Sequence, residues 1–116
     1  MSDEPTAARE SFGDVAPMLA EISDKVLFGQ VWASRILSSR ERSLVTVASL
    51  IAQYRENELP FHMNKAFENG LSRTELIEGI THLACYSGWP TAMTALGIAK
   101  KIFADADVSA SKAAAS

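Results

Sequence analysis

Cys85 is the only cysteine in the 116-residue chain, so an internal disulfide cannot form. Small domains of oxidising compartments lean on disulfides, and the expected location is therefore the cytoplasm. Basic residues are scattered: the longest Lys/Arg run is Lys100-Lys101, and the net charge is −3. A phosphate-binding surface needs clustered Lys/Arg, so nucleic acid is not an expected partner. No apolar run approaches the roughly 18–20 residues of a membrane span. The first residues, Met1 to Pro5, are acidic and no apolar core follows them, so a secretory leader is not expected. Alternating apolar patterns and Asn-Gly hairpin signals are missing as well, which leaves no case for a sheet.

What the chain does have is helical punctuation. Residues 1–11 are polar and read as a flexible N-terminus. Two apolar stretches, Val15 to Ile22 and Val26 to Trp32, are separated by Ser23-Asp24, and Gly29 interrupts the second. Ser38 with Glu41 three residues on forms a capping box, and the helix it starts is expected to reach about Glu56. Pro60 suits the first turn of the next helix, where its missing N–H costs nothing. That helix is expected to end at Asn69, with Gly70 in the left-handed position beyond it. Ser72 and Glu75 make a second capping box, and Leu76, Ile77, Ile80 and Leu83 form the buried stripe behind it. Gly88 stops that helix, Pro90 opens the last one, and residues 105–116 read as a flexible Asp/Ala/Ser tail. The expected fold is all-α: a compact bundle of about six helices over residues 12–104.

Two of these helices are rich in apolar or small residues for a monomer of this size. The one after Ser38 is apolar on more than one face, and the last carries Ala92, Ala95, Gly97 and Ala99 for close packing. So short a chain cannot surround more than one or two helices by itself, which makes a homo-oligomer the expectation and a tight monomeric bundle the alternative.

The groups fit for acid–base work fall into two stretches. Glu58-Leu-Pro-Phe-His62 sets a carboxylate and an imidazole four residues apart at a helix start, with Ala66 leaving room beside the ring. An imidazole there suits proton transfer, and Glu58 can fix its tautomer; the plain alternatives are a satisfied histidine and a carboxylate favoured by the helix dipole. Glu78 and His82 repeat the spacing inside a helix, with Tyr86 one turn on; the plain alternative is a solvated face. Trp89, between Gly88 and Pro90, packs or walls a pocket. Arg40 and Arg42 flank Glu41, and either can clamp a carboxylate through a bidentate fork. Cys85, without a partner, is expected to be a small buried hydrophobe. The His-Glu-x-x-His and Glu-x-x-His spacings of helical metal sites are missing, so no metal is expected.

Taken together, Arg40 to Ala48, Glu58-Leu-Pro-Phe-His62, Ala66, Asn69-Gly70-Leu71, Glu75, Glu78 and Tyr86-Ser-Gly-Trp-Pro90 resemble the carboxymuconolactone decarboxylase family. The resemblance covers about residues 28–104. It implies an all-helical cytoplasmic oligomer, commonly a hexamer with a trimer as the smaller possibility, with sites near subunit contacts. Its redox branch carries Cys-x-x-Cys before the histidine and a relay glutamate upstream. Aligned on His62 and Gly70, those positions fall on Arg55, Glu58 and Ser43, so thiol peroxidase chemistry is not expected. The resemblance points instead to a cofactor-free carboxy-lyase of aromatic catabolism, acting on a small carboxylated lactone such as 4-carboxymuconolactone. In that reading His62 handles the proton, Glu58 orients it, and Arg42 anchors a substrate carboxylate. His82, Tyr86 and Trp89 add substrate contacts. Two alternatives stay open: a relative acting on another small lactone or carboxylic acid, and a non-catalytic oligomeric binding protein.

Overall fold

The computed structural model describes residues 5–115, and every regular element among them is helical. The α-helices are α1 (Ala7–Phe12), α2 (Pro17–Ile22), α3 (Ser39–Ala52), α4 (Leu59–Glu68), α5 (Arg73–Tyr86) and α6 (Trp89–Ala115), with a π-helix over Ser23–Val31. The chain divides into two compact units, Met1–Ser38 and Ser39–Ser116.

In the first unit, Ser23-Asp24 does not separate two stretches as the sequence suggested. α2 runs straight into the π-helix, and Asp24 is drawn inward. Its two carboxylate oxygens accept the backbone N–H groups of Ala8 and Arg9, each at 2.9 Å. Those are orphan donors in the first turn of α1, which Thr6 leaves uncapped. A carboxylate fifteen residues downstream does the work of an N-cap. Residues 7–11, expected to be loose, are helical for that reason; residues 1–4 of the same expectation lie outside the described residues.

The second unit is a four-helix arrangement. Arg40 pairs with Glu75 and a Cβ on Gly79 would meet Leu44, so α3 and α5 run parallel. Asn69 reaches Ser43, which sets α4 antiparallel to α3, and Arg73 reaches Asp107, which sets α6 antiparallel to α5. The end of α3, the start of α4, the end of α5 and the start of α6 therefore share one end of the bundle. A hydrogen bond from Thr94 Oγ1 to Tyr54 OH at 3.1 Å ties the two corners there. Val47, Ile51, Leu59, Met63, Leu76 and Ile80 form the core between them, each removed from water and worth about 1.5–3 kcal/mol of burial.

Several helix ends follow the sequence reading. The Ser72–Glu75 capping box is present in both directions, and Gly70 and Gly88 take φ of 103° and 107° past α4 and α5. Two ends differ. α3 stops at Ala52 rather than near Glu56, because Tyr54 turns left-handed at φ 61°. The N–H of Tyr54 then bonds to the carbonyl of Ile51, and that of Arg55 to Leu50. This closure usually belongs to glycine. The expected tail beyond residue 104 is helical through Ala115, since Ala-rich sequence favours helix and Asp107 ties α6 back to Arg73. Arg73 also lies over the Phe103 ring at 4.7 Å, and its hydrogen bond holds the Asp107 carboxyl below the ordinary carboxylate value.

Candidate active site

The α3–α4 corner carries the first Glu–His pair. Leu59 and Pro60 open α4, and Glu58 stands at its N-cap position without capping a backbone N–H through its side chain. Its carboxylate turns instead to Arg55, whose Nη2 donates at 2.7 Å. That hydrogen bond lowers the Glu58 pKa; desolvation opposes it, and the nearby His62 adds a smaller lowering. Among the described residues no side-chain hydrogen bond joins Glu58 to the imidazole, so the tautomer-fixing contact expected from the spacing is replaced by the Arg55 pair. The backbone N–H of His62 donates to the Glu58 carbonyl at 3.3 Å.

The imidazole is half-buried, with its ring edge-on to Phe61 at 5.1 Å between centroids. His62, Ala66 and Asn69 share one face of α4. Ala66 is fully buried, and Asn69 Nδ2 donates to Oγ of buried Ser43 at 2.9 Å. That face is therefore the one that meets α3. The next residue, Met63, has no exposed surface and points into the core on another side of α4.

The α5–α6 corner differs. Glu78, His82 and Tyr86 form an exposed stripe, with the His82 and Tyr86 rings stacked at 4.8 Å and 29°. Tyr86 is 79% exposed and Trp89 66%, so Trp89 is not a packing residue within the chain. Cys85 is exposed too, contrary to its expected burial. The buried stripe of α5 runs through Leu76 and Ile80, and Cys85, five residues beyond Ile80, comes round to the far side.

A cavity of about 410 Å³ lies between α3 and α5. Leu44, Val47 and Leu76 are among its apolar lining residues, and Arg40, Glu75, Glu78 and His82 line it as well. Neither Glu58 nor His62 lines it, and Arg42 does not either. Arg42 is half-buried with its Nε shut off from solvent, near the far end of α3 from the Glu58 corner. Helix phase thus turns Arg40 and Arg42 to different surroundings. The structure brings Glu58, His62, His82, Tyr86 and Trp89 to one end of the bundle but keeps the two Glu–His pairs on different helices. Sequence reasoning missed the partner of Glu58, Arg55, whose Arg-x-x-Glu spacing was a usable signal. Among the described residues no group of three His, Cys, Asp or Glu side chains could hold a metal ion, and no helix is long and apolar enough to cross a membrane.

Comparison with known proteins agrees with the motif-level resemblance. The sequence profile of the carboxymuconolactone decarboxylase family matches residues 17–101. A 4-carboxymuconolactone decarboxylase of Acinetobacter baylyi is 34% identical over 103 residues, covering 89% of this chain and 77% of its own. A nitrosuccinic acid decarboxylase of Metarhizium robertsii is 32% identical over 85 residues, covering 73% of this chain and 59% of its own. The match spans both helices that carry glutamate–histidine pairs and most of the sequence, and the chain belongs to the carboxymuconolactone decarboxylase family.

Proposed function

We propose that this protein is a cofactor-free carboxy-lyase for a small carboxylated lactone such as 4-carboxymuconolactone, with His62 handling the proton. The observation that supports this reading is the family match over residues 17–101, the span that contains Glu58 and His62. The two relatives are named for decarboxylations of different acids, a carboxylated lactone and a nitro acid. Both acids hold a group able to accept the electron pair that carbon dioxide leaves behind. In the lactone, breaking the C–C bond sends the pair through the ring alkene onto the carbonyl oxygen as a dienolate. A proton returned to carbon completes the reaction, and neither metal nor redox cofactor is needed to balance it.

The protein's task is then to hold the acid, meet the developing oxyanion and deliver the proton. A donor aimed at the charge that forms only in the transition state lowers the barrier more than ground-state binding does. His62, half-buried and near the Glu58 carboxylate, suits that role. Arg42, His82, Tyr86 and Trp89 are proposed as substrate contacts, with Arg42 as carboxylate anchor. We further take the active form to be a cytoplasmic homo-oligomer, a hexamer by family, that works in aromatic catabolism. Exposed Val15, Met18 and Ile36 in the first unit, and exposed Phe61, Trp89 and Met93 in the second, support self-association.

The test is turnover of 4-carboxymuconolactone, followed by ultraviolet absorbance with chelator present. His62→Ala is expected to cut it about a hundredfold, the scale of a lost acid or base, with the oligomer intact; unchanged turnover removes His62 from the mechanism. A second reading places the chemistry on Glu78 and His82, and one observation favours it: His82, not His62, lines the cavity. If neither histidine matters and no candidate acid is consumed while one binds reversibly, the protein is a binding member of the family.

A further inference from the structure

We propose that Tyr54 is a positioning residue for the Glu58–His62 corner: tied through its hydroxyl to Thr94, it holds the left-handed turn that brings Arg55 onto Glu58. The starting observation is a conformational cost with no local return. Tyr54 closes α3 at φ 61°, where a side chain is strained and glycine is not. Burial does not explain the tyrosine, because the residue is 50% exposed. The backbone bonds of the turn, from Tyr54 N–H to Ile51 and from Arg55 N–H to Leu50, need no side chain at this position. What glycine lacks is the phenol, whose oxygen accepts from Thr94 Oγ1 at 3.1 Å. Backbone held in such a conformation persists only where its surroundings fix it, and it gathers where function needs a set geometry.

The tether acts on the residues that follow it. Tyr54 precedes Arg55 in the connection from α3 to α4, so its left-handed angle sets the course of the chain into Arg55. Two bonds then close the turn: Glu58 N–H donates to the Arg55 carbonyl at 3.2 Å, and Arg55 Nη2 donates to Glu58 Oε1 at 2.7 Å. One turn on, His62 N–H donates to the Glu58 carbonyl at 3.3 Å. Contacts therefore pass from Thr94 through Tyr54, Arg55 and Glu58 to His62, and only the first of these residues lies on α6. Thr94 is a firm anchor, since buried Ala92 and Ala95 seat this part of α6 in the core. The Arg55 and Glu58 side chains are both partly exposed, and an ion pair in water is too weak to hold the turn by itself. Released from Thr94, Tyr54 can return to an ordinary negative φ, which redirects Arg55 away from Glu58. Glu58 then loses the hydrogen bond that chiefly lowers its pKa.

This assignment rests on the role proposed above for the Glu58–His62 corner, and two readouts keep the two apart. The first needs no substrate: the Glu58 carboxyl is titrated by carbon-detected NMR in the full-length protein. Tyr54→Phe and Thr94→Val are each expected to raise its midpoint toward the ordinary 4.5, and the double variant to raise it no further. Thr94→Ser, which keeps the hydroxyl, is expected to leave the midpoint in place. Tyr54→Gly is expected to raise it too, while resisting denaturant at least as well as Tyr54→Phe, because the strain leaves with the side chain. A purely structural tyrosine gives lost stability with an unmoved titration, and that result overturns the proposal. So does a midpoint that moves in Tyr54→Phe but not in Thr94→Val. The second readout is turnover of 4-carboxymuconolactone. In Tyr54→Phe and Thr94→Val kcat is expected to fall about three- to tenfold with KM within about twofold, the pattern of a misplaced rather than a missing group. An unchanged kcat in both variants, with His62→Ala inactive, overturns the proposal as well. If His62→Ala leaves turnover unchanged, it is the proposed reaction site that fails, and the Glu58 titration alone decides the tether.

Discussion

The two Glu-x-x-x-His pairs have the same spacing and opposite surroundings. Glu58 and His62 begin a helix, are both half-buried, and have their carboxylate committed to Arg55. Glu78 and His82 lie inside a helix on its exposed side, at the mouth of a cavity, with the imidazole stacked on an exposed tyrosine. Spacing therefore says which groups can meet along a helix, but not what each group does. What separates the pairs is the neighbour each carboxylate and ring has found. The first spends its carboxylate on an arginine, and the second lines a cavity.

That contrast can be broken or sharpened by substitution. The largest effect is expected in the core next to the first pair in sequence: Met63→Ala removes a side chain with no exposed surface and should cost about 2–5 kcal/mol in chemical denaturation. The same truncation at half-buried Leu83, beside the second pair, should cost less; equal losses would mean that burial at the two positions does not differ. Next comes chemistry. His62→Ala should lower turnover about a hundredfold, which is about 2.7 kcal/mol of barrier, and His82→Ala less than tenfold. The reverse order moves the reaction to α5.

Arg55→Ala tests the commitment of Glu58. In the folded protein its pKa lies below the ordinary 4.5, first because of the Arg55 hydrogen bond. Stability from this group is complete above that ordinary value and fades as pH falls through the lowered one. Removing the guanidinium should raise the Glu58 pKa, seen by carbon-detected NMR titration, and narrow the acid range in which the fold holds. A titration that does not move shows that Arg55 is not what holds the carboxylate. The smallest effect belongs to Cys85→Ser, expected within about 0.5 kcal/mol because the thiol is exposed. A larger loss would show that this face is covered in solution.

Local chemistry made much of the fold legible. Ser72 and Glu75 announce a helix start because their bonds are made within one turn, and Gly70 and Gly88 announce ends because few other residues take a left-handed turn without strain. Whatever depended on distant partners was hidden. Tyr54 occupies a glycine-like position after α3, with its hydroxyl bonded to a threonine forty residues on. α1 depends on Asp24, and the length of α6 is supported by Arg73. At the site, the residue types in both Glu–His pairs were readable, but the claim of Arg55 on Glu58 and the choice between Arg40 and Arg42 were not. Two arginines two positions apart on a helix point to different sides, and only the packing of α5 shows which one meets the cavity.

The carboxylate of Asp24 grips main chain alone. Such a clasp does not read the side chains at positions 8 and 9, and almost any residue there except proline offers it the same N–H. Substitutions at exposed Arg9 can therefore drift freely in character, whereas buried Ala8 must stay small, and the acid, once neutralised, no longer meets both N–H groups as a carboxylate.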